Sequence, residues 1–164
     1  MFGNADIYIE NIHMPFNHIN EIWNDSLDGQ DVFQLLSSCI TDCKIFEFPV
    51  SVMHTTLGFS PPLISKIGMK RVKTLVEQAE KSNTVIAIEN LRRNDYLDHI
   101  FSEIQNPSLG FCYDSGHDLL YNQVPYAIID KYANKLSALH LHDNNKECDA
   151  HLVPGEGIID WSVY

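Results

Sequence analysis

Basic residues are scarce in this sequence: its 164 residues include 11 lysines and arginines against 22 aspartates and glutamates, which gives a formal net charge of -11. No run of Lys or Arg is long enough to follow a phosphate backbone. Affinity for nucleic acid comes largely from neutralising phosphates, so the composition disfavours a nucleic-acid partner. The excess of carboxylates would be offset in part if several of them converged on a metal ion.

Long apolar runs are also absent. The longest, such as residues 85–88, have the length of a strand, whereas a membrane-spanning helix needs roughly 20 apolar residues. The four cysteines form no Cys-x-x-Cys pair, and no signal-peptide pattern precedes them. The sequence therefore predicts reduced thiols in a cytoplasmic protein without a membrane segment.

No low-complexity segment and no linker rich in Pro, Gly or Ser divides the chain, so we expect one domain over residues 1–164. Short apolar runs alternate with longer segments whose apolar residues recur at helical spacing, which is typical of parallel strands joined by crossover helices. The predicted strands are 6–12, 45–53, 84–88, 109–113 and 137–142. The predicted helical faces lie within 32–43, 72–79 and 97–104, the last with Asn94 or Asp95 as its cap.

A residue that can bind a metal stands at or just after the end of each predicted strand. In a parallel barrel the carboxyl ends of the strands share one face, so we expect these side chains to converge there. Strand alternation places Glu89 on the inner face with Val85 and Ala87, where a charge needs a partner or a metal. The five strand-end residues are His13, His54, Glu89, Asp114 and His140.

His117 extends this set, because it lies three residues after Asp114 and Gly116 between them predicts a tight turn that brings both side chains to one side.

Mixed imidazole and carboxylate ligands without a cysteine cluster suit Zn²⁺, Mn²⁺, Co²⁺ or Fe²⁺. Mg²⁺ stays a further candidate, since carboxylates are present. The divalent metal is therefore predicted, and its identity is left open.

Polar residues continue beyond the last predicted strand. His140 and His142 share one strand face, and His142 and Asp143 lie nearer the mouth, which predicts substrate-binding or supporting roles for both. The next segment adds Asp149 and His151 in an Asp-x-His pair, ahead of a loop shaped by Pro154, Gly155 and Gly157.

Taken in order, six segments resemble the strand-end motifs of the xylose isomerase-like superfamily of TIM-type (β/α) barrels. The superfamily includes sugar phosphate isomerases and epimerases, and the apurinic endonucleases are related to it. The resemblance covers residues 6–161, and its specificity lies in the ordered series of motifs. The segments are NIHMPF, VMHTT, VIAIEN, CYDSGHD, LHLHDNN and DAHLVPGEGIIDW.

The resemblance implies an α/β fold that is an incomplete barrel. A complete barrel has about 250 residues, more than this chain has. We expect about five or six of the eight strands, without the first strands and without the last, which in the family ends in a metal-binding Glu. Open sheet edges would favour pairing with a second copy, so a homo-oligomer is expected.

The family's sugar epimerases imply a metal on Glu89, Asp114 and His140, with Glu89 also acting as the base and His117 contacting the substrate. The apurinic endonuclease pattern would add further ligands. In that pattern His13 and His54 join one metal, and His117, Asp149 and His151 hold another.

Three functions stay open at this point. The first is a metal-dependent isomerase or epimerase of a sugar or sugar phosphate, which transfers a proton next to a metal-bound carbonyl. The second is a metal phosphodiesterase that resembles the apurinic endonucleases, against which the acidic composition argues. The third is a truncated family member without catalysis, because a terminal metal-binding Glu is missing from the chain. The partner expected for the first is a small sugar molecule.

Overall fold

A computed structural model of the protein describes residues 7–163. Strands and helices alternate along most of the chain, as the sequence predicted, and short 3-10 helices occupy Ile19–Trp23, Ala133–Lys135 and Trp161–Val163. The strands are β1 (Asn11–His13), β2 (Val50–Met53), β3 (Val85–Glu89), β4 (Leu109–Asp114) and β5 (Leu136–His140). The helices are α1 (Leu27–Phe46), α2 (Lys66–Lys81), α3 (Asn94–Glu103), α4 (Ser115–Tyr121) and α5 (Ala127–Tyr132).

The five strands form one parallel sheet in the order β1-β2-β3-β4-β5, so each strand pairs with its neighbours in sequence. The sheet curls into a half-barrel, which confirms the α/β class and the TIM-type architecture. The register aligns Asp114 with His140 and Glu89 with Cys112, so β4 and β5 end level and β3 ends two residues before them, at the same edge of the sheet. No helix of residues 7–163 is both long and apolar enough to cross a membrane.

The two faces of the sheet carry different side chains. On the outer face, large residues such as Ile86, Ile88 and Phe111 are fully buried against the helices and form the main core. On the inner face the side chains are smaller, with Val52, Ala87, Cys112 and Ala138 packed in one layer. Alternation along β3 therefore confirms the predicted inward side of Glu89, which lies above this apolar layer.

Serine side chains begin the two longest helices. Ser26 Oγ accepts a hydrogen bond from Gly29 N at 3.0 Å, and Ser65 Oγ accepts one from Gly68 N at 3.1 Å. Each satisfies a backbone donor that the first turn leaves free. The predicted cap of α3 was wrong: that helix begins at Asn94 without a side-chain cap, and Asn94 Oδ1 instead accepts from Leu91 N.

Some predicted strand boundaries were also wrong. Residues 45 and 46 belong to α1, which continues until Glu47 takes a left-handed conformation with φ 59°. The first strand begins only at Asn11, and Asp6, with which its prediction began, lies outside the described residues. The last strand ends at His140 because His142 leaves the ladder, exchanging backbone hydrogen bonds with Ser115 Oγ.

Candidate metal and active centre

Glu89 stands at the centre of the strand-end face. Its side chain is 2% exposed, and His54 Nε2 lies 3.1 Å from its Oε2 atom. His13 Nε2 and His140 Nδ1 approach the same oxygen at 3.3 and 3.4 Å. His117 Nδ1 lies 3.0 Å from the other oxygen, Oε1. Four imidazoles from four different parts of the chain therefore surround one buried carboxylate.

These contacts determine the charges at the centre. Burial alone would raise the pKa of the Glu89 carboxyl, but hydrogen bonds from His117 and the other three histidines hold this pKa well below its usual range. For His117, burial lowers the pKa, while the hydrogen bond with Glu89 and the neighbouring carboxylates raise it to about 9. In the metal-free chain Glu89 is thus an anion and His117 a cation near neutral pH.

His13 is oriented by its own backbone. Its Nδ1 lies 2.7 Å from the carbonyl oxygen of Met14, a contact that a neutral imidazole makes by donating the Nδ1 proton. In a neutral ring Nε2 would carry a lone pair facing the Glu89 carboxylate, so the hydrogen bond to Glu89 requires the protonated ring. Although burial lowers the pKa of His13, the Glu89 and Met14 contacts raise it above its usual value, and a metal ion could take the place of that proton. A backbone acceptor that fixes the tautomer in this way is typical of metal-binding histidines.

Asp114 connects the end of β4 to the start of α4. Its Oδ1 accepts a hydrogen bond from His117 N at 2.7 Å, and its backbone is held by the Asn90 side chain through bonds of 2.7 and 2.9 Å. His142 Nε2 lies 3.0 Å from Oδ1, and His140 Nδ1 lies 3.8 Å from Oδ2. The sequence analysis did not assign Asn90 to the site, although a polar residue directly after the inward-facing Glu89 indicated a position at the same strand end.

A second group of side chains forms around Asp149. His117 Nε2 lies 3.2 Å from its Oδ2, and His151 Nε2 lies 3.4 Å from its Oδ1. The His151 ring stacks on His142, with ring centroids 4.0 Å apart and an interplanar angle of 6°. His117 therefore lies between the two groups, with one ring nitrogen toward Glu89 and the other toward Asp149.

Gly116 is needed for a reason other than the predicted tight turn. It lies within α4, and a Cβ atom at this position would stand 2.0 Å from Cε1 of His142. A larger residue would thus displace the His142 ring, which contacts Asp114. The close approach of Asp114 and His117 comes instead from the helix cap at Asp114.

Asp143 is the one predicted site residue whose carboxylate is directed into a loop and not toward the cluster. Its oxygens accept hydrogen bonds from the backbone of Asn144, Gly155 and Ile159 and from Trp161 Nε1, at 2.8 to 3.1 Å. Burial would raise the pKa of this carboxyl, but these donors lower it to about 2. Gly155 adopts φ 94°, as expected for a loop-shaping glycine.

A cavity of about 390 Å³ opens above the cluster. Most predicted residues line it, but its rim includes side chains that the sequence did not assign to the site. Phe16 stacks on His54 with centroids 4.4 Å apart, and Arg92 lies on the opposite segment after β3. Phe16 and Arg92 lie in loops, where no strand or helix periodicity indicates which side chains face the cavity. The predicted residues that line the cavity are His13, His54, Glu89, Asp114, His117, His140, Asp149 and His151.

The donor set fits a divalent metal. His54 Nδ1 and His142 Nδ1 are buried and have no hydrogen-bond partner within residues 7–163, and the buried Asp149 Oδ1 accepts no hydrogen bond there although His151 Nε2 lies 3.4 Å away. Burial raises the pKa of Cys112, so its thiol is a poor ligand beside imidazole and carboxylate. Within the described part of the chain, four groups have ligand atoms within 4.8 Å of one another: His13, His54 and Glu89; Glu89, Asp114 and His117; Glu89, Cys112 and His140; and His142, Asp149 and His151.

Comparison with known proteins gives a consistent result. Residues 6–164 match the profile of xylose isomerase-like TIM barrels. An uncharacterized protein of Methanocaldococcus jannaschii is 29% identical over an alignment of 170 residues, which covers 92% of this chain and 56% of that protein. The chain is thus similar to this protein along nearly its whole length.

Two solved structures are similar in fold. A D-tagatose 3-epimerase-like protein gives a TM-score of 0.78 at 25% identity, covering 92% of this chain and 62% of the other. The IOLI protein, solved with a binding zinc atom, gives 0.72 at 17% identity, covering 93% and 58%. The chain therefore spans less than two thirds of the length of each of these relatives.

Proposed function

The chain belongs to the xylose isomerase-like TIM barrel family, and on that basis we propose that it carries the metal-dependent reaction centre of a sugar or sugar phosphate isomerase or epimerase. The main support is the convergence of four imidazoles on the buried carboxylate of Glu89. Similarity to a D-tagatose 3-epimerase-like protein supports the same reaction class. The substrate would be a small sugar, for which a cavity of about 390 Å³ has room.

We assign the metal to Glu89, Asp114 and His140, with His13 and His54 as further ligands beside them. A divalent cation bound there would polarise a substrate carbonyl and lower the pKa of the neighbouring C–H. The structures of relatives include one with zinc, which supports a divalent ion without fixing its identity. The donor set of imidazoles and carboxylates supports Zn²⁺, Mn²⁺, Co²⁺ or Fe²⁺.

The proton steps are assigned to the chain's own residues. Glu89 is ionised and lines the cavity from the inner face of the sheet, and we assign it as the group that accepts the proton of the substrate C–H. His117 would orient a substrate oxygen, since its ring lines the same cavity. An isomerisation returns the proton to the neighbouring carbon, while the hydroxyl proton passes to the former carbonyl oxygen. An epimerisation returns it to the opposite face of the same carbon and needs a second acid, for which we assign no residue.

Solvent exchange tests this proposal directly. The protein is loaded with Mn²⁺, Co²⁺ or Zn²⁺ and incubated in D₂O with ketoses and ketose phosphates, and loss of the substrate C–H signal is followed by proton NMR. We expect exchange in wild type and in Glu77→Gln, an exposed residue of α2 with the same change of charge. Exchange should be lost in Glu89→Gln. Exchange that survives Glu89→Gln would refute the assigned base.

A metal phosphodiesterase is a second candidate, because the chain offers more ligands than one metal requires. His13, His54 and Glu89 form one group, and a second group of His142, Asp149 and His151 shares no residue with it. Clustered ions of this kind suit phosphodiester hydrolysis. The net charge of -11 weighs against a DNA substrate.

Metal stoichiometry and DNA cleavage separate the two candidates. One ion per chain together with C–H exchange supports the isomerase or epimerase. Two or three ions, with cleavage of abasic-site DNA that weakens as salt rises, would support the phosphodiesterase. Bound metal without either reaction would identify a non-catalytic member of the family.

A further inference from the structure

Arg92 lies at the rim of the proposed reaction centre, in the segment that follows β3. We propose that its guanidinium binds an oxyanion, a phosphoryl or carboxylate group, that the sugar substrate carries away from its reacting carbon. The inference rests on the proposed function and deepens it, because it specifies an acidic sugar as the substrate class.

The side chain of Arg92 is held by two aromatic rings. Its guanidinium carbon lies 4.5 Å from the centroid of the Tyr121 ring and 5.2 Å from that of Phe59. The two rings meet edge to face, with centroids 6.0 Å apart. Two aromatic contacts of this kind hold the guanidinium in place and use none of its N–H groups, which stay available as donors. The arrangement is therefore pre-organised for a planar, two-point contact with an oxyanion.

Those donors are unused within the described chain. Arg92 makes no hydrogen bond or ion pair with residues 7–163, and its Nε atom is buried without a partner. The neighbouring Arg93 differs: its Nε and Nη2 donate to both carboxylate oxygens of Asp95 at 2.9 and 2.8 Å. A buried donor without a partner is unfavourable, so the Nε–H group of Arg92 indicates an acceptor that the described residues do not supply.

The position of Arg92 fits a substrate that spans the cavity. Tyr121, which supports the guanidinium, also lies beside His117, with ring centroids 5.6 Å apart. His117 in turn contacts Glu89. Arg92 is the one Lys or Arg among the described residues that line this cavity, whose other charged groups are histidines and carboxylates. One end of a sugar phosphate would thus reach Arg92 while its reacting carbons stay near Glu89.

Calorimetric titration of the Mn²⁺-loaded protein tests the inference. The affinities for D-fructose, D-fructose 6-phosphate and D-glucuronate are compared. D-Fructose 6-phosphate is titrated again after removal of Mn²⁺, because a phosphoryl group held by Arg92 should still bind, whereas one held by the metal ion should not. We expect wild type to bind at least one acidic sugar about tenfold more tightly than fructose, as a charge-assisted pair of hydrogen bonds provides. Preference for the phosphate or for the glucuronate identifies the oxyanion.

Arg92→Gln and Arg93→Gln form a matched pair, because they remove the same charge from adjacent residues. The preference for the acidic sugar should disappear in Arg92→Gln and persist in Arg93→Gln. Arg92→Lys keeps the charge and an apolar stem beside the rings but loses the planar guanidinium, so it should keep part of the preference. If Arg92→Gln unfolds, Arg92→Lys is measured in its place. Equal binding of acidic and neutral sugars by wild type, or a preference unchanged in Arg92→Gln, would overturn the inference.

This binding assay needs no turnover. Absence of C–H exchange together with an Arg92-dependent preference would refute the proposed reaction and leave the oxyanion site standing. C–H exchange on neutral sugars without an Arg92-dependent preference would support the proposed reaction and refute the oxyanion site.

Discussion

His54 Nε2 lies 3.1 Å from Glu89 Oε2, although the two residues are 35 positions apart in sequence. His54 follows β2 directly, and Glu89 is the last residue of β3, the strand paired with it. Parallel pairing in register brings the two strand ends to the same edge of the sheet. The contact is therefore a consequence of topology, and the proposed metal site depends on the sheet.

Loss of His54 should weaken metal binding without unfolding the chain. His54→Ala removes one of the imidazoles that approach Glu89 Oε2. We expect the metal dissociation constant to rise by about tenfold or more, which is the size of loss that substitutions around metal ligands cause. Titration with Co²⁺, followed by its visible absorption, measures the affinity. His99→Ala, on the far surface of α3, is the control and should bind as wild type does. Equal affinity in the two variants would exclude His54 as a ligand.

Gly116→Ala should disturb the site through His142. The new Cβ would meet the His142 ring at 2.0 Å, so either the ring moves away from Asp114 or the helix shifts. We expect a loss of about 1–3 kcal/mol in the free energy of unfolding, typical of overpacking. Urea denaturation measures it.

The double variant Gly116→Ala with His142→Ala checks the cause. Removal of the ring should relieve the clash, so the two losses should not add. Additive losses would show that Gly116 acts through something other than His142.

Asp143→Asn should loosen the loop of residues 144–161 that its carboxylate holds. We expect the free energy of unfolding at pH 7 to fall by about 1–3 kcal/mol, because several donors lose a charged acceptor. Asp130→Asn, an exposed residue of α5, is the matched control and should change little.

The effect of Asp143→Asn should also depend on pH. The pKa of Asp143 is lowered to about 2 in the folded chain, below the unfolded value of about 3.9. Its contribution is therefore complete above about pH 4 and is lost as pH falls toward 2. Denaturation at pH 7, 4 and 3 should show wild type and Asp143→Asn becoming more alike as pH falls. A gap that is constant over this range would contradict the role of the charge.

Asn90→Asp should disturb Asp114. The Asn90 amide both donates to and accepts from the backbone of Asp114, and aspartate keeps only the acceptor while adding a negative charge next to Asp114 and Glu89. We expect lower stability in the metal-free chain and a smaller loss when metal is bound, since the cation offsets the added charge. Thermal unfolding with and without Mn²⁺ measures both. Asn17→Asp, at an exposed position, serves as the control.

The convergent part of the site could be predicted from sequence because it follows from two regularities. Alternation along a strand decides which side chains face inward, and crossover connections bring all strand ends to one edge. Glu89, Asp114 and His140 end their strands, and His54 directly follows one, as these rules require. The same rules apply to His13 at the end of β1.

Other features depended on contacts that no periodic pattern encodes. Residues 45 and 46 are apolar and read as the start of a strand, but α1 continues through them to Glu47. Asp143 was expected at the mouth of the site, whereas donors up to 18 residues later in the chain take up its carboxylate. The contacts of Arg92 with the Phe59 and Tyr121 rings join three separate segments, so sequence spacing alone did not indicate them.

The inward position of Glu89 limits where insertions and deletions are tolerated. Alternation along β3 leaves Ile88 facing the helices and Glu89 facing the cavity, so removal of one residue from this strand would exchange their sides. The carboxylate would then enter the apolar layer under the helices, and the cavity would gain an isoleucine. Length variation among relatives of this chain should accordingly be confined to the loops, and the strands that carry the proposed ligands should keep their number of residues.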